Sequence, residues 1–256
     1  MNQIITLLSD WRLRDPYVSM LKGTLYGSFP DALILDITHY VDKFNVLQTA
    51  LLMQSGYSSF PEGSIHLMLT NMSLNSTFAP VLLYHNGHYF IGEDNGVFHL
   101  MFGQSCPIKG MQLSDNQGNT LAQMISLIKA IEEGTLEQKT KEYVSFKRMF
   151  VELPDYSSDI QQIEGHIVYI DAFNNAITDI PVAMFEKAVG NRSFTATIES
   201  KGTWTITKHY PQYPVSEEEM VLCDNALGLI EIASYQSDVA ILADLEPGDK
   251  VIIKVE

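Results

Sequence analysis

Apolar positions in the first half of the chain alternate between short continuous runs and longer stretches with helical spacing. Residues 4–8 are a continuous apolar run of strand length, and residues 32–37 form a second run that we expect to be a buried strand. Further strands are predicted at residues 64–70, 81–84 and 88–91, where Asn86-Gly87 marks a hairpin turn. Alternating strands and helices indicate a mostly parallel sheet with crossover helices.

Three helices are predicted between these strands. Asp15 is expected to cap the first, with Pro16 at its first helical position and an end near Gly27. Asn45 and Gln48 resemble a capping box at the start of the second. Its apolar stripe consists of Val46, Leu47, Ala50 and Leu51. The third helix is predicted at residues 120–133, with Gly134 as its stop.

Strand patterns dominate the second half of the chain. They lie at residues 166–171, 193–199, 203–209, 228–234 and 251–255. A small antiparallel barrel or sandwich would close such a set of strands. Residues 139–158 are polar and contain Pro154, which is typical of a connector. We therefore predict an α/β/α domain at residues 1–145, a connector at 146–162 and a β-barrel domain at 163–256.

Charge and composition exclude several classes of partner. The 256 residues carry a formal net charge of −15, from 31 acidic and 16 basic side chains. Such a surface repels phosphate backbones and anionic lipids, so nucleic acid and membranes are not expected partners. No basic leader and no apolar stretch of spanning length occurs, and Cys106 and Cys223 are expected to be reduced thiols. We expect a cytoplasmic protein without a cofactor.

Several short segments together resemble one enzyme family. They are Ser9-Asp10-Trp11, Asp15-Pro16-Tyr17-Val18, Lys22-Gly23, Asp36-Ile37-Thr38-His39, Phe60-Pro61-Glu62-Gly63-Ser64-Ile65-His66 and Asp94-Asn95-Gly96. In order and spacing they are similar to the SAM hydroxide adenosyltransferases, the family that includes the fluorinase and the chlorinase. The resemblance implies an α/β/α sandwich followed by a small β-barrel domain. It also implies a homotrimer that binds S-adenosylmethionine (SAM) between neighbouring subunits.

Asp10 is the first candidate for a ligand contact. It directly follows the first buried strand, and in open α/β sheets ligands bind beyond the carboxyl ends of strands. From position alone, capping or solvation remains an alternative. The resemblance implies that Asp10 holds a ribose, with Ser9 and Trp11 keeping the hydroxyl and the aromatic ring of the family motif.

A second candidate segment lies in the predicted barrel domain. Residues 171–180 are similar to the family motif Asp-x-Phe-Gly-Asn-x-x-Thr-Asn-Ile. The resemblance implies that Phe173 and Asn175 contact adenine and that Asp171 belongs to the same binding site. Asn174 stands in place of glycine, which is tolerable because Asn also adopts left-handed backbone angles. Without the resemblance, a plain hairpin turn is the alternative.

Residues 225–233 resemble a third family segment, Asn-Ser-x-Gly-x-Leu-Glu-Ile-Ala. Here Ala226 lacks the serine hydroxyl, and Tyr235 brings a bulkier ring to the segment that follows. The resemblance places Tyr235 at the substrate site and implies weakened recognition of the methionine half of SAM.

The catalytic residues of the family are missing. The Asp, Arg and His positions of the family correspond here to Asn71, Phe78 and Asn119. An amide has no protonation equilibrium suited to a general base, and a phenyl ring cannot orient a carboxylate as a guanidinium does. No catalytic residue can therefore be assigned. Four residues near strand ends remain as substitutes, although structural roles are expected for them: His39, His66, Glu93 and Asp94. No metal-ligand spacing is present.

Three functions follow as hypotheses. The first is an enzyme that transfers the adenosyl group of SAM to water by displacement at C5′, which gives adenosine and methionine. The second is a protein that binds adenosine, SAM or another nucleoside without turnover. The third is a scaffold with a vestigial pocket, which Phe78 and Tyr235 fill. The missing catalytic set favours weakened, altered or lost activity.

Overall fold

The apolar run near the N-terminus forms a strand inside a seven-stranded sheet. A computed structural model describes residues 2–73, 75–103, 109–212 and 219–256. The chain divides into two compact units, Met1–Met149 and Phe150–Glu256, and this sheet belongs to the first. Its strands are β1 Ile4–Leu8, β2 Leu33–Thr38, β3 Ile65–Met68, β4 Val81–His85, β5 His88–Gly92, β6 Gly110–Leu113 and β7 Thr140–Tyr143.

The sheet is parallel on one side and antiparallel on the other. Its order is β2-β1-β3-β5-β4-β6-β7, and the first four of these strands are parallel. Parallel neighbours need long crossovers, which are largely helical here. The helices are α1 Tyr17–Ser28, α2 Val46–Gly56, α3 Thr120–Glu132 and α4 Leu136–Lys139, with a 3₁₀ turn at Tyr57–Ser59 and a π-helical turn at His99–Gly103. The carboxyl ends of β1, β3 and β5 consequently meet at one edge.

Strand β2 differs from its prediction as a buried strand. It lies at the end of the sheet with β1 as its neighbour, and Leu33 and Leu35 are 49% and 43% exposed. The prediction of burial was wrong, because an apolar run reports strand propensity but not the number of neighbours that a strand has.

Helix α1 begins one residue later than predicted. The first intrahelical bond runs from the Met20 N–H to the Pro16 carbonyl, so Pro16 itself is the capping residue. No side-chain hydrogen bond caps this helix, and the prediction of Asp15 as the cap was wrong. At α2 the prediction is confirmed, since the Asn45 side chain accepts from the Gln48 N–H at 2.9 Å. The Gln48 side chain, however, accepts from Asp42 and not from Asn45.

The predicted hairpin between β4 and β5 is confirmed. Asn86 and Gly87 have φ angles of 47° and 83°, the left-handed angles that a two-residue turn of this type requires. Gly87 is also confined sterically, because an added Cβ would lie 2.8 Å from the Glu62 side chain.

The second unit is a curled, nine-stranded sheet that forms a half-barrel. Its order is β12-β11-β16-β9-β10-β15-β14-β13, with β8 paired to β9, and all pairs except β13 with β14 are antiparallel. The strands are β8 Asp155–Ser157, β9 Gln162–Ile170, β10 Ala176–Pro181, β11 Phe194–Glu199, β12 Thr203–Ile206, β13 His209–Tyr210, β14 Val221–Asp224, β15 Leu229–Ala233 and β16 Lys250–Val255. The predicted fold class, α/β followed by a small antiparallel β domain, is confirmed.

Several elements of the structure carried no clear sequence signal. Helices α5 Val182–Val189 and α6 Val239–Leu242 pack into the core of the second unit, through Phe185 and Val239 among others. Strands β7 and β8 form within the polar segment expected to be a connector. Each of these elements is at most eight residues long, and short elements are stabilised by packing more than by local propensity.

A chain of polar side chains lies in the otherwise apolar interior of the first unit. Thr6 Oγ1 lies 2.7 Å from His66 Nδ1, and His66 Nε2 lies 3.1 Å from His88 Nδ1. Phe90 stacks on the His66 ring, and Tyr57 and Phe60 meet it edge-on. Burial, followed by the nearby His88, lowers the pKa of His66 to about 3. Two adjacent histidines in this site are stable only while they are neutral.

This histidine chain predicts acid sensitivity. An unfolded imidazole binds a proton near pH 6.5, whereas folded His66 does so only near pH 3. The stabilising contribution of neutral His66 is therefore complete above pH 6.5 and declines as the pH falls towards 3. We expect the free energy of unfolding to fall by about 1.4 kcal/mol per pH unit in that window from this group alone.

Urea unfolding at pH 7.5, 6.0 and 5.0 measures the effect. His66→Gln should show a shallower pH slope than the wild type, whatever its stability at pH 7.5. His85→Gln on β4 is the control and should keep the wild-type slope. Equal slopes for His66→Gln and the wild type would contradict the prediction.

Candidate functional site

Asp10 lies at the carboxyl end of β1 and ties together two loops of the first unit. Its side chain is buried (8% exposed), and Oδ2 accepts hydrogen bonds from the Phe44 N–H at 3.0 Å and the Asn71 N–H at 3.2 Å. Phe44 precedes α2, and Asn71 follows β3. Both bonds use the same oxygen, and within the described part of the chain no donor binds Oδ1. One carboxylate oxygen is thus structural, and the other has no donor among the described residues.

Three non-glycine residues around Asp10 have left-handed backbone angles. Arg12, Phe44 and Asn71 have φ of 62°, 65° and 57°. Asn tolerates this region, but for an aromatic residue it is an outlier that the surroundings must hold in place. The Phe44 ring is exposed beside the carboxylate that binds its N–H. Sequence reasoning missed Phe44 and Arg12, because neither residue type indicates a positive φ.

The Ser9 hydroxyl is committed to a buried polar relay. Ser9 Oγ lies 2.7 Å from His39 Nδ1, and His39 Nε2 lies 3.1 Å from Asp36 Oδ1, although it is not well aligned for a hydrogen bond. The Lys22 ammonium donates to Asp36 Oδ2 at 2.6 Å. Burial raises the pKa of Asp36, but the bonds from Lys22 and His39 outweigh it and hold the pKa below its ordinary value. Ser9 therefore fixes the chain just before Asp10 through its bond to His39, which also belongs to this relay.

An open cleft of about 560 Å³ lies beside Asp10 in the first unit. Trp11 directly follows Asp10, Met72 and Ser73 follow Asn71 in one of the loops that Asp10 binds, and α1 and the start of α3 complete the walls. The apolar residues that line it are Trp11, Tyr17, Met20, Leu21, Met72 and Leu121. Its volume is in the ordinary range of small-molecule sites.

None of the three positions that correspond to the family's catalytic residues carries an ionisable side chain. Asn71 is exposed and bonds Asp10 through its backbone. Phe78 is 59% exposed, so within this unit it does not fill a pocket, and its carbonyl accepts from the Thr120 hydroxyl. Asn119 caps α3, where its side chain accepts from the Ala122 N–H at 2.9 Å.

Of the four possible substitute groups, Glu93 is the one whose side chain makes no hydrogen bond to another described residue. His66 and His39 belong to the buried networks described above. Asp94 accepts from the Tyr143 hydroxyl at 2.7 Å and from the Lys147 N–H at 2.8 Å. Burial, followed by the bond to Asp94, raises the pKa of Tyr143 to about 12. Glu93 follows β5 at the same edge as Asn71, and burial raises the pKa of its carboxyl although Lys147 opposes this.

In the second unit, Asp171 organises the turn between β9 and β10. Its Oδ1 accepts from the N–H groups of Phe173 and Asn175 at 2.8 Å and 2.9 Å. Asn174 has φ of 58°, which confirms that it takes the left-handed position expected of a glycine. As a result the Phe173 ring is 76% exposed, while the Asn175 side chain points into the protein and is buried.

The Asn175 amide is oriented by a buried carboxyl. Its Nδ2 donates to Glu231 Oε1 at 3.3 Å, whereas its Oδ1 is buried and has no partner among the described residues. The Cys223 thiol, which is free, donates to the same Glu231 oxygen. Burial raises the pKa of both Glu231 and Cys223, and it raises that of neighbouring Tyr169 to about 12. The amide thus presents a fixed, unsatisfied acceptor.

Two further positions from the sequence analysis flank β15, with Ala226 before it and Tyr235 after it. Ala226 is exposed and Tyr235 is half-buried. Cys106 lies outside the described residues. Within residues 2–73, 75–103, 109–212 and 219–256, no group of three or more His, Cys, Asp or Glu side chains is placed to hold a metal ion. Over the same residues, no helix is long and apolar enough to cross a bilayer.

Two family models match the chain in the order of its two units. The SAM hydroxide adenosyltransferase N-terminal domain matches residues 5–128. The SAM hydroxide adenosyltransferase C-terminal domain matches residues 165–252. The matched ranges include Asp10, Asn71 and Asn119 in the first model, and Asp171 and Asn175 in the second.

Two curated relatives carry the same name, (R)-S-adenosyl-L-methionine hydrolase. The protein from Methanocaldococcus jannaschii is 21% identical over 266 residues, which cover 98% of this chain and 95% of that protein. The protein from Thermus thermophilus is 27% identical over 96 residues, which cover 38% of this chain and 37% of that protein.

Two solved structures share the fold. A conserved protein from Thermotoga maritima superposes with a TM-score of 0.82 at 20% identity, covering 98% of this chain and 100% of that chain. A conserved hypothetical protein from Thermus thermophilus gives a TM-score of 0.71 at 21% identity, covering 100% of this chain and 100% of that chain.

The capping bond of Asn119 predicts a structural effect of its replacement. Asn119→Ala should destabilise the protein by about 1 kcal/mol, because the first turn of α3 loses its side-chain acceptor. Asn119→Asp keeps an acceptor and should retain wild-type stability, which makes it the matched control. Thermal or urea unfolding measures both variants. Equal destabilisation by both would show that the cap is not what Asn119 contributes.

Proposed function

Because this chain belongs to the SAM hydroxide adenosyltransferase family, we propose that it binds adenosine or SAM and hydrolyses SAM weakly or not at all. The observation that carries the proposal is the state of the three positions where the family has its Asp, Arg and His. Two are amides and one is an exposed phenyl ring, and Asn119 serves as a helix cap. The binding residues, in contrast, are present and ordered.

Asp10 is proposed to hold the ribose. A carboxylate oxygen with free lone pairs can accept a hydrogen bond from a ribose hydroxyl. Oδ1 is such an oxygen, because Oδ2 binds the two backbone N–H groups. Ser9, which hydrogen-bonds His39, is proposed to belong to the same binding site. Phe44, exposed beside Asp10, offers a ring to the sugar.

Asn175 and Phe173 are proposed to bind adenine. The free Oδ1 of Asn175 suits the exocyclic amino group of the base, because an unpartnered buried acceptor gains most from a donor. The exposed Phe173 ring can cover a purine face. Asp171, which shapes the turn, and Tyr235 are proposed to complete this part of the site.

Displacement of methionine from C5′ requires an attacking water and a group that takes its proton. Neither Asn71 nor Asn119 has a protonation equilibrium near neutral pH, and Phe78 offers no charge to orient a carboxylate. The name of the relatives, SAM hydrolase, indicates the reaction that these replacements weaken. The resemblance extends the proposal to a cytoplasmic homotrimer, which light scattering of the purified protein tests.

A second candidate function is retained SAM hydrolysis with a different base. Glu93 favours it, because this carboxyl lies at the edge that carries Asp10 and Asn71 and has a pKa raised by burial. A raised pKa brings a carboxylate closer to the range in which it accepts a proton efficiently from water.

The binding proposal is tested with Asp10→Asn. The amide oxygen can still accept from Phe44 and Asn71, while an NH₂ group replaces the ligand-facing oxygen. Calorimetry should show adenosine binding to the wild type and at least ten-fold weaker binding to Asp10→Asn, which should remain folded because both backbone N–H groups keep an acceptor. Asp31→Asn, at an exposed position after α1, is the control and should bind like the wild type. If neither adenosine nor SAM produces heat with the wild type, the nucleoside proposal is wrong.

The catalytic part is tested by incubating the wild type with SAM and following adenosine by chromatography. We expect a rate at or near that of the protein-free sample. Turnover well above that rate would contradict this expectation and support the second candidate. In that case Glu93→Gln should abolish turnover, whereas the control Glu132→Gln on α3 should not. Turnover by the wild type should also rise with pH as Glu93 deprotonates. Unchanged turnover in Glu93→Gln would remove Glu93 from the mechanism.

A further inference from the structure

The cleft beside Asp10 has no charged wall. Six of its lining residues are apolar or aromatic, and the other three are Thr24, Ser73 and Asn75. Among the described residues that line it, none carries a carboxylate, ammonium or guanidinium group. A charged group entering this cleft would lose hydration without gaining an ionic partner, which is costly.

The cleft is lined by residues that neighbour Asp10 and Asn71 in the chain. Trp11 follows Asp10 in the chain, and Met72 and Ser73 follow Asn71, whose N–H binds the Asp10 carboxylate. A nucleoside held by Asp10 therefore has this cleft as the adjacent space for a substituent. The cleft and Asp10 belong to the same compact unit.

SAM matches these walls poorly. Its methionine half carries an ammonium, a carboxylate and a sulfonium, three charges that require polar or ionic partners. An uncharged thioether matches them well, because sulfur and short alkyl groups pack favourably against methionine and aromatic side chains. Met20, Met72 and Trp11 supply such contacts.

One replacement in the second unit also removes a group that the resemblance assigns to recognition of the methionine half of SAM. Ala226 stands where the family has a serine hydroxyl.

We propose that the ligand of this protein is a neutral 5′-thioether of adenosine, with its alkylthio group in the apolar cleft. This inference rests on the proposed nucleoside binding and narrows it to one chemical class. Asp10 holds the ribose, and the wall formed by Trp11, Met20 and Met72 selects against a charged 5′ group.

Calorimetry with four ligands tests the inference. The probes are adenosine, 5′-methylthioadenosine, S-adenosylhomocysteine and SAM, which separate the base and sugar, the thioether, the amino acid and the sulfonium charge. We expect 5′-methylthioadenosine to bind about ten-fold more tightly than adenosine, since burial of two small apolar groups contributes about that factor. 5′-Methylthioadenosine should also bind more tightly than S-adenosylhomocysteine or SAM does.

The other outcomes separate the thioether inference from the nucleoside proposal. Adenosine binding as tightly as 5′-methylthioadenosine, or either amino-acid ligand binding equally or more tightly, overturns the thioether inference and leaves nucleoside binding intact. No binding of any of the four overturns the nucleoside proposal itself.

A variant pair localises the effect to the cleft. Met20→Glu places a carboxylate in the wall at an exposed position of α1, so the fold should tolerate it. This variant should bind 5′-methylthioadenosine at least ten-fold more weakly than the wild type, and adenosine less than two-fold more weakly. Tyr26→Glu is the control, because Tyr26 is exposed on the same helix and does not line the cleft. Equal loss for both ligands in Met20→Glu, or loss of 5′-methylthioadenosine binding in Tyr26→Glu, would show that the cleft does not hold the thioether.

Discussion

The carboxylate of Asp10 is the interaction on which the rest of the first unit's candidate site depends. Its Oδ2 holds the N–H groups of Phe44 and Asn71, two residues in left-handed backbone conformation that belong to different loops. Hydrogen bonds to an ionised acceptor are stronger than neutral ones, so a single side chain can keep both loops in an unfavourable conformation. Because the loop of Asn71 continues into the cleft through Met72 and Ser73, the shape of the cleft depends on a residue that does not line it.

The residues proposed to bind a nucleoside and the positions of the family's catalytic residues differ in how their side chains are held. The groups proposed to hold a nucleoside are each fixed by a second residue: Asp10 by its two loops, Asn175 by Glu231, and Phe173 by the turn of Asp171. The positions that would activate water are instead occupied by side chains that cap a helix or face solvent. Under the proposed function, these residues keep their contacts to the sugar and the base, while the 5′ substituent differs from that of SAM.

The alternation of apolar patterns predicted the fold class correctly, because strand and helix periods differ throughout the first half of the chain. It failed at β2, where Leu33 and Leu35 carry no mark of an edge position. At α1, only the hydrogen bond from Met20 to Pro16 reveals which residue is the cap. In the site, the left-handed angle of Asn174 was predictable from its residue type, whereas that of Phe44 was not. The capping role of Asn119 was predictable in principle, because Asn directly before a helix is a common capping residue.

The left-handed geometry of Asn71 also bears on how reversible the divergence is. Asn and Asp are the non-glycine residues that adopt this conformation most readily, and they differ by one amide group. A return to a carboxylate at this position would therefore leave the backbone and its bond to Asp10 undisturbed. Phe78 offers no such path, since a guanidinium cannot be regained from a phenyl ring by a comparably small change. Of these two positions, Asn71 therefore differs from the family residue by the smaller change and Phe78 by the larger one.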